Sequence, residues 1–113
     1  MKKPTPSDDC CLPGTEPRLG PLSGPQADLD LAAFAKAMGH PVRVQILRML
    51  AHKDAHKCSH IVDELPLAQS TVSEHLRILR TAGLVQANET GPRVSYCIVP
   101  AAVNRFKALL GAL

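Results

Sequence analysis

Between Gln69 and Arg80 the sequence QSTVSEHLRILR repeats its apolar residues at helical spacing, and this stretch constrains everything around it. Val72, Leu76 and Leu79 fall at i, i+4 and i+7 and form a stripe that must be buried; Ser73, Arg77 and Arg80 repeat that spacing on the neighbouring stripe. The leading turn, Gln69, Ser70, Thr71 and Ser73, is small and rich in hydrogen-bonding groups. It sits where a helix's orphan N–H groups and dipole favour anions. Upstream lie a short apolar-polar run, Ser59 to Leu65, and the tight connection Pro66, Leu67 and Ala68. Two helices joined by a short turn, the second with a polar leading end, form the helix-turn-helix pattern. A plain helical hairpin in a small bundle has the same spacing.

With 113 residues the chain makes one folded unit, small enough for self-association to help stabilise it. Aromatics supply 3% and Trp is absent, so the core must be aliphatic. Charge is divided unevenly: residues 1–28 carry a net −1 and residues 29–113 a net +4. A basic folded part with a non-basic tail suits a modest nucleic-acid binder. No apolar run has the length of a membrane helix and Lys2 and Lys3 precede a Pro-rich stretch, so a soluble, cytoplasmic protein is expected. In that compartment four cysteines favour metal ligation or redox chemistry over a disulfide framework. No nucleophile-base pair, phosphate loop or cofactor fingerprint points to an enzyme.

Residues 1 to about 26 hold six of the ten prolines and three of the seven glycines and lack apolar periodicity, which predicts a flexible arm over 1–28. It carries the adjacent pair Cys10 and Cys11. The remainder, 29–113, reads as mainly α with a β-hairpin wing. Asp28 is expected to cap a helix from Leu29 to Met38, with Gly39 as its left-handed stop. A second helix starts at Pro41 and buries Val42, Ile46, Met49 and Leu50. Cys58 lies just before Ser59, the N-cap of the next helix, beside Lys57, so its thiolate is favoured. After Gly83 come a strand from Leu84 to Asn88, a turn through Pro92 and a strand from Arg93 to Val99, with Arg93 at the tip as a phosphate contact. In the second strand Cys97 reads as a small, half-buried residue. A last helix, Ala101 to Leu113, is apolar enough along one side to want a partner protomer.

Three motifs in this order resemble the ArsR/SmtB family of bacterial metal-sensing repressors. They are Ala37-Met38-Gly39-His40-Pro41-Val42-Arg43-Val44-Gln45-Ile46-Leu47, Gln69-Ser70-Thr71-Val72-Ser73-Glu74-His75-Leu76-Arg77-Ile78-Leu79, and the exit Ala82-Gly83-Leu84-Val85. The resemblance covers about residues 29–110 and displaces the bundle reading. It implies a homodimeric winged helix-turn-helix protein that binds operator double-stranded DNA when metal-free and releases it when metal binds. Gln69, Ser70, Thr71 and Ser73 match the reading positions and Arg93 the wing contact, with Arg77 and Arg80 as phosphate contacts of lower rank. His75 also matches a family position, but a histidine facing its own helix neighbours reads as structural.

The family places its metal sites variously. The last helix here has no His, Asp, Glu or Cys, so the carboxylate-imidazole type of site is absent; the arsenic-type cysteine box is reduced to Cys58-Ser59-His60. Cys10 and Cys11 complete a set of three sulfurs with Cys58. Three soft ligands suit a pyramidal As(III) or Sb(III) better than tetrahedral zinc, with Cd(II) or Pb(II) as the alternative if His60 adds a fourth. The arm's reach allows a site within or between protomers, and the resemblance favours the arm of one protomer reaching the box of the other. A thiol-redox sensor on the same DNA module is the rival reading.

Overall fold

The computed structural model describes residues 20–52, 65–88 and 94–113. Cys10, Cys11, Cys58, His60, Arg93, the helix expected from Ser59 and the wing turn lie outside the described residues.

Among the described residues four helices and one hairpin follow in order: α1 Pro25–Met38, α2 Pro41–His52, α3 Gln69–Thr81, β1 Val85–Asn88, β2 Ser95–Ile98 and α4 Pro100–Gly111. Helix α1 begins four residues before the expected Leu29. The reason is proline's fixed φ: Pro25 occupies the first turn behind Gly24, whose φ of 103° suits only glycine. Asp28 is therefore a first-turn residue on the favourable side of the helix dipole, its N–H bonded to the Gly24 carbonyl, rather than a cap. Gly39 also differs from expectation, since its φ is −80°. Its role is close approach: a Cβ there would stand 3.3 Å from the Ala35 carbonyl oxygen. Among the described residues only Gly83, at φ +87°, is a left-handed helix stop. The Gly83 N–H bonds to the Arg80 carbonyl (2.9 Å) and the Leu84 N–H to that of Leu79 (3.0 Å), the paired bonds of a Schellman end.

The core is aliphatic, as the composition requires. Ile46 from α2, Val72, Leu76 and Leu79 from α3, and Leu84 are each 1% exposed or less. Each is worth roughly 1.5–3 kcal/mol of transfer free energy. The stripe expected of α3 is its buried face. In α2 the buried set is Ile46, Leu47 and Leu50, with Val42 and Met49 packed at the margin.

The hairpin is antiparallel, pairing Val85 with Ile98, Gln86 with Cys97, Ala87 with Tyr96 and Asn88 with Ser95. Strict alternation fails in β2. Tyr96 (9% exposed) and Cys97 (3%) are both buried, whereas Val94, two residues before Tyr96, is 37% exposed. The hairpin base is covered on both sides, so its inner end does not behave as a half-exposed ribbon. At that base the Val99 N–H bonds to the Leu84 carbonyl, and Pro100 starts α4 at once. Helix α4 packs against α1 through Phe34 and Phe106, ring centres 5.5 Å apart.

Candidate nucleic-acid interface

Helix α3 combines the largest amphipathic contrast of the described helices with an open N-terminus. Ala68 at the N-cap is extended and has no side-chain capping bond, so the first-turn N–H groups face outward. Gln69, Ser70, Thr71 and Ser73 are all exposed around that turn. The structure thus brings four of the seven expected DNA-contacting residues onto one surface, with donors and acceptors suited to base edges and phosphates.

Arg77 is exposed on the same helix, but its guanidinium is engaged. Nε donates to Glu74 Oε1 at 3.0 Å and Nη2 to Oε2 at 2.6 Å. This hydrogen bond holds the Glu74 carboxyl below its usual range and raises Arg77 above its own. Both side chains are more than half exposed, so the pair is screened and opens readily toward a phosphate. Arg80, one turn on, is exposed. Lys36, Arg43 and Arg77 also surround a shallow cleft of about 340 Å³ between α1 and α3 whose lining includes no acidic residue. The face beside the reading helix is cationic.

A polar network unforeseen in the sequence seats α3. Arg43 donates through Nε to the Ala37 carbonyl at 2.5 Å and through Nη1 to His75 Nδ1 at 3.1 Å. Arginine only donates, so Nδ1 of His75 accepts and the imidazole is neutral. The His40 ring lies 4.5 Å from that of His75. Burial first, then the nearby His40 and Arg43, push the His75 pKa below its usual 6.5. His75 is thus the packed, hydrogen-bonded residue expected. The available signal was the co-occurrence of Arg43 and His75 in two motifs far apart in the chain.

Cys97 departs from its sequence reading. It is buried and disulfide-bonded, with its partner outside the described residues, and Gln86 Nε2 lies 3.5 Å from its sulfur. Among the described residues no group of three His, Cys, Asp or Glu side chains is placed to hold a metal ion.

The sequence pattern of the family described as "Bacterial regulatory protein, arsR family" matches residues 40–87. An HTH-type transcriptional regulator of Methanocaldococcus jannaschii is 39% identical over 82 residues, which are 73% of this chain and 92% of that one. The chain belongs to the ArsR/SmtB family. A second relative, the HTH-type transcriptional repressor SmtB of Mycobacterium tuberculosis, is 37% identical over 78 residues, 67% of this chain and 56% of the repressor. An ArsR-like transcriptional regulator from Rhodococcus sp. RHA1 shares the fold, with a TM-score of 0.66 at 24% identity over 78% of this chain and 82% of that chain. The winged-helix architecture expected from the motif order is therefore the observed one. As an ArsR/SmtB member the chain is a DNA-binding transcriptional regulator and not an enzyme. Among the described residues no helix is long and apolar enough to cross a membrane.

Proposed function

We propose that the protein, with the Cys97 disulfide reduced, is a homodimeric repressor that binds operator DNA when metal-free and is released by As(III) or Sb(III), held by Cys10, Cys11 and Cys58. The observation that carries this reading is the placement of three thiols on an ArsR/SmtB scaffold, two vicinal in the tail and one at the start of the helix-turn-helix. Trivalent arsenic is thiophilic and three-coordinate, so three sulfurs complete its shell. Dimerisation is supported by apolar surface on the two helices that pack together: Leu29 on α1 is 64% exposed, Leu110 on α4 is 47% exposed and Leu113 just beyond it 91%. Two copies joined there would carry their α3 helices toward successive major grooves, ~34 Å apart. Arsenite should displace fluorescent operator DNA from the wild-type protein. Cys10→Ser, Cys11→Ser and Cys58→Ser should each hold the operator at arsenite concentrations that release the wild type. Unchanged release in all three variants rejects the thiolate site.

The disulfide at Cys97 supports a second reading, a thiol-redox regulator. Two thiols joining lose two protons and two electrons, which a peroxide accepts as it becomes water or an alcohol. Under this reading operator affinity differs between peroxide-treated and dithiothreitol-treated protein with metals chelated, and Cys97→Ser abolishes the difference.

A further inference from the structure

Helices α2 and α4 do not close on each other. Between them lies a groove of about 240 Å³ with an almost wholly apolar lining, including Leu47 on α2, Val103 and Phe106 on α4, and Ile98 at the end of β2. Leu47 and Phe106 are otherwise well buried, so the groove reaches into the core margin. Its polar lining is of one sign. Arg48 on α2 and Lys107 on α4 flank it, both are exposed, and no acidic residue takes part. Neither cation has an ion pair among the described residues; the carboxylates of Asp30 and Glu74 are engaged by Arg105 and Arg77.

An apolar slot between two cations selects a molecule with a short hydrocarbon body and an anionic head. We infer that this groove is an effector site for a small amphipathic carboxylate, its chain against Leu47, Val103 and Phe106 and its head between Arg48 and Lys107. The volume falls just below the ~300–1,000 Å³ of sites for drug-sized ligands, which limits the occupant to a short chain or one small ring. The groove also touches both ends of the wing, since Ile98 and Leu84 line it and the Val99 N–H bonds to the Leu84 carbonyl beneath. An occupant therefore contacts α2, the wing base and α4 together, and shifts operator affinity by favouring one spacing of these elements.

Octanoate is the probe, with octylamine and octanol as controls of equal chain length. Titration calorimetry of the full-length protein should show saturable binding of one octanoate per chain, weaker octanol binding and none of octylamine. Arg48→Glu and Lys107→Glu should each weaken octanoate roughly tenfold or more, the size expected for losing a charge-assisted contact. Val103→Phe, which fills the slot while leaving both cations, should abolish binding without changing the circular dichroism spectrum. Operator anisotropy should shift with octanoate in the wild type and not in Val103→Phe. The inference is overturned by no saturable binding, by octylamine binding as well as octanoate, or by charge reversals that leave affinity unchanged. It is equally overturned if Val103→Phe weakens dimerisation in sedimentation, because the groove then belongs to a second copy of the chain. The readouts are independent of the cysteines, so arsenite behaviour neither supports nor masks the result.

Discussion

Arg43 is the residue on which the seating of α3 depends. It joins the last turn of α1 to the reading helix by two hydrogen bonds whose geometry needs a planar, forked donor. Arg43→Ala should lower stability by about 1–3 kcal/mol, read as a fall in the denaturant midpoint, and Arg43→Lys should recover only part of it. The same network sets an acid limit. The folded protein holds His75 neutral, with its pKa below 6.5, while the unfolded chain protonates at its ordinary value. Stability from this group is full above about pH 6.5 and is lost as pH falls from there through the depressed value. Replacing His75 by Gln should flatten that part of the stability-pH curve. Glu74 acts in another way, occupying Arg77 and adding a negative charge to the exposed face of α3 that the proposed function turns toward DNA. Glu74→Gln should raise operator affinity several-fold and steepen its salt dependence by about one phosphate contact, measured by anisotropy across a salt series. The Arg43–His75 contact was not legible from spacing, because the fold brings together residues 32 positions apart. The exposed leading turn of α3 and the i, i+3 pair of Glu74 and Arg77 are properties of one local stretch, and those could be read directly.

The elements themselves were written more plainly. The stripe of Val72, Leu76 and Leu79 is periodic within a single helix, so burial could be assigned without knowing the partner surface. Leu76→Ala should cost about 2–5 kcal/mol by removing a fully buried side chain. Boundaries were harder, since proline and glycine act through backbone geometry that a sequence states ambiguously. Pro25 extends α1 beyond the anticipated start, and Gly39 relieves a close approach to a carbonyl rather than meeting a demand of handedness. At Gly83 the requirement is conformational alone, for a Cβ there would meet nothing within 4 Å. Gly83→Ala is expected to destabilise by ~1–2 kcal/mol with the same native fold, seen as a lower Tm and an unchanged spectrum. Strand β2 was misread where alternation stopped, at Tyr96 and Cys97, because helices cover the hairpin base from outside the local sequence.

For the whole molecule the informative feature is apolar surface left over after folding. Leu29, Leu110 and Leu113 lie on or just beyond the two helices that pack together, and a protomer burying them against a partner gains roughly 1.5–3 kcal/mol for each. Leu110→Glu should shift the species in light-scattering chromatography toward monomer and lower operator affinity in parallel, while the isolated protomer keeps its helical spectrum. The choice of inducer belongs to a different level of information. Cysteine count and thiolate chemistry are present in the sequence, but under the proposed reading the sulfurs that meet lie far apart along the chain, and no periodicity encodes that.

Arg105 of α4 donates to Asp30 on α1 at 3.0 Å and to the Pro21 carbonyl at 3.3 Å, and its guanidinium stands 3.8 Å from where a Cβ of Gly20 would be. The chain is thereby moored to the terminal helix four residues before α1 starts. The segment that carries Cys10 and Cys11 therefore joins the folded part at a point held by α4. If those sulfurs serve the proposed arsenite site, Arg105→Ala should alter the rate of arsenite capture more than the final affinity, without touching a single thiol.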